Sequence, residues 1–174
     1  MSPLSTMNNL TQPKTQDREE AAPAHRVSGL RHDAQGDDSM HVRPAQGYAG
    51  DVSPQLAWAW VQAGEAELVD VRTDAERTWV GFVPDAHALA WKQWPGMAMN
   101  PEFDNGIQAL GAGGKKLLLL CRSGVRSVAA AQRATELGLQ AYNILEGFEG
   151  DPDANAHRGQ SGGWRMRGLP WRQS

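Results

Sequence analysis

The chain has 174 residues, a length that suits one domain with a tail or two. Its formal net charge of −3 gives no reason to expect nucleic acid, and it holds no run of about 18 apolar residues, so no membrane-spanning helix is expected. The first residues lack the apolar core of a secretory signal, and a lone cysteine allows no internal disulfide, so the expected compartment is a reducing cytoplasm.

Aromatic residues divide the sequence. All seven Trp, three Phe and two Tyr lie at Tyr48 or later. Residues 1–46 are polar and Pro-containing, without the apolar surface that would offset their ordering entropy, and are expected to form a disordered tail. In Ser53-Pro54 an N-cap precedes proline at the first helical position. Leu56, Trp60 and Val61 then share a helical face, which Gly64 closes. Glu67 to Arg72 reads as a short strand. Thr73-Asp74-Ala75-Glu76 has the form of a capping box and starts a helix that breaks between Gly81 and Pro84. A weakly marked strand is predicted over Ala86–Ala90 and a helix over Glu102–Leu110. Lys115 to Leu120 carries four leucines in succession, apolar on both faces, as a central parallel strand requires. A helix over Val125–Leu137 ends at Gly138, and a last strand runs over Ala141–Leu145. Strands alternating with helices predict an α/β domain over residues 47–150, with a mainly parallel sheet. Residues 151–174, rich in Gly, Arg and Trp, form a C-terminal extension that Trp164 and Trp171 could pack onto the domain.

Ligands of such sheets gather at the carboxyl ends of the strands. Cys121 stands at one such end, and Asp70 and Arg72 close another. A lone cysteine after an apolar strand is usually a small buried hydrophobe. Here it opens Cys121-Arg122-Ser123-Gly124-Val125-Arg126-Ser127, between a strand and a helix. Gly124 lets the backbone curl, and the loop N–H groups and helix dipole favour a thiolate or an anion. Arg122 and Arg126 offer forked donors to oxyanions, and Ser127 offers a hydroxyl to the sulfur or to a substrate oxygen. Trp58, Trp60, Trp79, Trp91 and Trp94 read as core or pocket rim. The histidines show no ligand spacing, so no metal site and no cofactor is expected.

The sequence resembles the rhodanese family of sulfurtransferases. The likeness rests on the loop Cys121–Ser127, on Leu68-Val69-Asp70-Val71-Arg72 with Glu76 four residues on, and on Asn143-Ile144-Leu145-Glu146-Gly147-Phe148. It implies a three-layer fold, about five strands with helices on both faces. It also implies that Cys121 takes sulfur as a persulfide from a small anionic donor such as thiosulfate. A thiol or cyanide acceptor, or a protein acceptor, would then remove it, without metal, nucleic acid or membrane. The family often reads Gly-His-Ile-Pro-Gly-Ala where this chain has Gly81-Phe82-Val83-Pro84-Asp85-Ala86. The two arginines also set the loop apart from the Cys-Gly-Ser-Gly-Val-Thr type linked to mercaptopyruvate.

Cys-dependent phosphatases and arsenate reductases use a related loop with five residues between Cys and Arg. Here four separate Cys121 from Arg126, which suits a single sulfur better than a phosphate. A partner-dependent sulfur carrier is the other rival. The resemblance further implies that Asp70 pairs with Arg122 and shapes the loop. Arg126, with no evident neutralising partner, is assigned to the donor, and Arg72 with Glu76 to a structural pair beside the site.

Overall fold

A computed structural model describes residues 38–174. The expectation of a disordered tail over residues 1–37 lies outside the described residues. The last nine residues of that expected tail are ordered onto the domain. A 3-10 turn at Asp38–Met40 leads to Arg43, whose N–H and carbonyl pair antiparallel with Asp51 at 2.8 and 2.9 Å. These two backbone hydrogen bonds to a sheet edge are joined by Ser53 Oγ donating to the Ser39 carbonyl and Gln132 Nε2 to the Gln46 carbonyl.

The elements follow in chain order: β1 (Gly50–Val52), α1 (Pro54–Gln62), β2 (Ala66–Asp70), α2 (Asp74–Val80) and β3 (His87–Ala88). A two-stranded hairpin, β4 (Lys92–Gln93) and β5 (Ala98–Met99), precedes α3 (Phe103–Gly111), β6 (Lys116–Leu120), α4 (Val125–Glu136) and β7 (Ala141–Ile144). The main sheet has five strands in the order β1-β7-β6-β2-β3, all parallel. β6 sits at its centre, and Leu117 to Leu120 are all 0% exposed.

Strand alternation divides these leucines between two cores. Leu118 and Leu120 pack with Leu56 and Ala57 of α1 and with Phe148 and Trp164. Leu117 and Leu119 pack with Phe103 and Ile107 of α3 and the alanines of α4. The predicted helices and strands are therefore present, layered on both faces of the sheet. Ser53 caps α1 by accepting from the Leu56 N–H, and the Thr73–Glu76 capping box forms in both directions.

Two elements escaped the sequence pattern. β1 is only Gly-Asp-Val, too short to show a period, and owes its form to pairing with β7. The β4–β5 hairpin turns through Gly96 and Met97, both at positive φ. Asp85, where the family often has glycine, adopts φ 63°, a left-handed conformation that aspartate tolerates better than most residues.

The C-terminal extension is part of the fold. Trp164 is 0% exposed, stands edge-on to Trp58 and donates its indole N–H to the Pro170 carbonyl at 2.8 Å. Phe82 and Arg172 form an antiparallel bridge. No helix among the described residues is long and apolar enough to cross a membrane.

Candidate active site

β6 delivers Cys121 to the carboxyl edge of the sheet, between β2 and β7. The chain then curls through Arg122, Ser123 and Gly124 into α4. Gly124 occupies the N-cap of α4 at φ 96°, a left-handed conformation that a side chain would strain. That turn aims the Gly124 N–H at Cys121 Sγ, 3.2 Å away. Ser127, one turn into α4 and fully buried, places Oγ 3.1 Å from the same sulfur. Cys121 itself is 1% exposed and lies at the wall of a cavity.

The loop is braced from behind by the segment after β7. Phe148 N–H donates to the Cys121 carbonyl at 2.8 Å, and Glu149 N–H to the Arg122 carbonyl at 2.9 Å. Gly147 turns at φ 61° to permit this approach. The C-terminal extension reinforces the brace: Gly163 N–H and Arg167 both donate to the Glu146 carboxylate.

The ion pairs differ from the expected ones. Asp70 binds Arg72, with Nε to Oδ1 at 2.9 Å and Nη2 to Oδ2 at 2.6 Å, both side chains wholly buried. Arg72 follows two residues later, where the chain bends after β2, and its backbone N–H also donates to Asp70 Oδ1 at 3.0 Å, so the carboxylate is held locally. The Arg72 guanidinium also donates to the Gly81 carbonyl at 2.9 Å and lies 3.9 Å over the Phe148 ring. Arg72 therefore supports the brace from within the core. The predicted Asp70–Arg122 and Arg72–Glu76 pairs do not form.

Glu76 instead receives Arg126 in a two-pronged pair, Nη1 to Oε2 at 2.8 Å and Nη2 to Oε1 at 2.5 Å. The expectation that Arg126 has no neutralising partner is thereby corrected. Arg122 lines the same cavity, is exposed, and among the described residues its guanidinium has no carboxylate partner.

Glu76 serves two structures at once, because Oε2 also accepts from the Thr73 N–H and hydroxyl. Burial alone would push its carboxyl up, but the bonds from Arg126 and Thr73 outweigh that and hold it at about 2, against an ordinary 4.5. A depressed folded-state value stabilises the fold fully above pH 4.5, and the gain is lost as pH falls towards 2. Acid titration across that window should remove on the order of 3 kcal/mol in wild type. Glu76→Gln should flatten the curve there, as chemical denaturation at stepped pH would show.

Cys121, Arg122 and Arg126 line a cavity of about 720 Å³. Trp79, Trp94 and Met97 form its rim, with Trp79 69% and Trp94 62% exposed. Trp58, Trp60 and Trp91 pack against the cores instead.

Sequence reasoning missed a polar cluster beneath the loop. Asn143 Oδ1 lies 2.6 Å from Ser127 Oγ, and its Nδ2 donates to Asp51 Oδ1 at 2.8 Å. The Tyr48 hydroxyl donates to that same oxygen at 2.8 Å. The available signal was one amide, Asn143, inside the buried strand Ala-Tyr-Asn-Ile.

Residues 53–151 match the rhodanese-like domain family. An uncharacterised protein of Rickettsia rickettsii is 35% identical over 111 residues, covering 61% of this chain and 82% of that protein. The crystal structure of Rv0390 from M. tuberculosis is similar with a TM-score of 0.62 and 42% identity, covering 73% of this chain and 99% of that one. A rhodanese-related protein from Thermoplasma volcanium shares the fold at a TM-score of 0.50 and 20% identity, over 70% of this chain and 96% of that one. The parallel sheet, the cysteine loop at the end of its central strand and a match over more than half of the sequence lead to one assignment: the chain belongs to the rhodanese-like domain family.

Proposed function

We propose that the protein is a sulfurtransferase in which Cys121 carries sulfane sulfur from thiosulfate, or a related persulfide donor, to a thiophilic acceptor. The Cys121 thiolate attacks the outer sulfur of thiosulfate. The donor S–S bond breaks, sulfite leaves with the electron pair, and a persulfide anion remains on the protein. An acceptor thiolate then attacks that outer sulfur and leaves as its own persulfide, which restores Cys121. Splitting one transfer into two displacements is ordinary nucleophilic catalysis.

The observation that carries this reading is the buried Cys121 in a short loop whose Gly124 N–H meets the sulfur at 3.2 Å, at the N-terminus of α4. Preorganised donors there favour negative charge on sulfur or on an adduct. The cavity of about 720 Å³ far exceeds thiosulfate and is of the size that houses organic ligands. Its Trp79 and Trp94 rim and its Arg122 cation suit an organic thiol bearing a carboxylate as acceptor.

The test is turnover of purified protein with thiosulfate and either cyanide or a small organic thiol. Sulfite release coupled to acceptor persulfide supports the proposal. Sulfur loading without turnover favours the partner-dependent carrier, and phosphate-ester hydrolysis without sulfur transfer overturns it. Arg122→Ala should raise the KM for an anionic donor about tenfold with kcat nearly unchanged, since an exposed cation contributes mainly to ground-state binding.

A further inference from the structure

Residues 151–161 form a loop whose two ends meet, and it lies beyond the matched residues 53–151. At its base, a Cβ on Gly163 would lie 2.4 Å from the Gly150 nitrogen, and one on Gly150 would lie 2.5 Å from the Gly162 carbonyl oxygen. Only glycines allow so close an approach, and a loop closed in this way is a compact unit of a kind that often carries function. Within it, Asp153 Oδ1 accepts the Asn155 and His157 N–H groups, each at 2.9 Å. The next residue, Arg158, lines the Cys121 cavity. Two bonds place it there. Its Nη1 donates to the Gly150 carbonyl at 2.5 Å, and the neighbouring Gly159 N–H donates to the Glu149 carbonyl at 2.8 Å. Glu149 in turn donates its N–H to the Arg122 carbonyl at 2.9 Å, so one residue ties the Arg158 segment to the cysteine loop. A guanidinium has five N–H donors, and most of those on Arg158 are left for a ligand.

The charged lining of the cavity comprises Glu76, Arg122, Arg126, Asp151 and Arg158. Glu76 and Arg126 neutralise each other. Asp151 is exposed, and among the described residues neither Arg122 nor Arg158 has a carboxylate partner. Two cations therefore stand against one carboxylate.

We infer that Arg158 is a second anion-binding residue of this cavity, and that the sulfur acceptor is an organic thiol with two acidic groups, one for Arg122 and one for Arg158. This rests on the sulfur transfer proposed above. Guanidinium forks bind carboxylates through paired, charge-assisted hydrogen bonds. A donor the size of thiosulfate, with its outer sulfur at Cys121, is served by the donors of the cysteine loop. The remaining room, rimmed by Trp79 and Trp94, is left for the carbon skeleton of the acceptor. Its thiolate attacks the outer sulfur of the Cys121 persulfide and departs as a persulfide, while the electron pair of the broken S–S bond returns to Cys121.

The probes are mercaptosuccinate, a thiol with two carboxylates, and 2-mercaptoethanol, a neutral one. With thiosulfate as donor, wild type should favour mercaptosuccinate in kcat/KM. Arg158→Gln should reduce that preference about tenfold, mainly through the KM for mercaptosuccinate, and Arg158→Lys should restore most of it. A wild type without the preference, or a preference unchanged in Arg158→Gln, would overturn the inference. So would a fall shared equally by both thiols, because it would leave Arg158 only as a brace for the Gly150 carbonyl. Binding can be read without sulfur transfer in Cys121→Ala. By calorimetry, mercaptosuccinate should bind that protein, and about tenfold more weakly once Arg158→Gln is added. Equal binding with and without Arg158 would overturn the inference. Arg158-dependent binding together with no sulfur transfer in wild type would support the anion site and count against the proposed function.

Discussion

Gly147→Ala should cost the protein both its stability and its activity. Gly147 turns at φ 61°, and a Cβ there would lie 2.6 Å from the Cys121 carbonyl oxygen, the Arg122 carbonyl carbon and the Ser123 nitrogen. These are backbone atoms of the loop itself and have no rotamer by which to yield. Left-handed strain and overpacking together come to about 2–4 kcal/mol. That corresponds to a fall in Tm of roughly 10 °C for a domain of this size. The loop would move by a substantial fraction of an ångström, withdrawing the Gly124 N–H from the sulfur, and kcat/KM should drop about 100-fold. Gly64→Ala is the control. Gly64 has φ 73° but nothing within 4 Å of the added carbon, so it carries the strain without the collision. It should lose only about 1 kcal/mol and keep full turnover. Equal effects of the two changes in a thermal melt would show that the brace behind the loop does not matter.

Cys121→Ala should give the opposite signature, with the fold kept and turnover lost. The side chain is small and buried, and alanine fits its space with a loss of about 1 kcal/mol. No other thiol exists in the chain to replace it. Sulfur transfer should fall by on the order of 10³-fold or more, because nothing else in the cavity can take its place as nucleophile. A variant that melts like wild type and still turns over would remove Cys121 from the chemistry.

Much of this architecture was written locally. Ser53-Pro54, the Thr73–Glu76 capping box and the leucines of β6 each specify an element by rules that act within a few residues. The cysteine loop was legible for the same reason, since strand, glycine turn and helix follow one another directly. The arginine partners were less so. Glu76 and Arg126 stand 50 positions apart, and their meeting depends on how α2 and α4 are set on the sheet. The Asp70–Arg72 pair did carry a local sign, their separation by two at the end of β2, which the family likeness to an Asp70–Arg122 pair outweighed. The supports of the loop were hidden because they are backbone groups of Gly147, Phe148 and Glu149, whose role is set by close approach rather than by side-chain type. Likewise, β1 and the ordered residues 38–46 depend on an edge for pairing, which composition alone does not reveal.

The central claim is that Cys121 carries the sulfur, and the intact mass of the protein tests it most directly. After incubation with thiosulfate and removal of excess donor, wild type should gain the mass of one sulfur atom. The gain should vanish on adding cyanide or an organic thiol, and Cys121→Ala should never acquire it. Wild-type protein whose mass is unchanged by thiosulfate and by an organic persulfide, or a gain that persists in Cys121→Ala, would contradict the account.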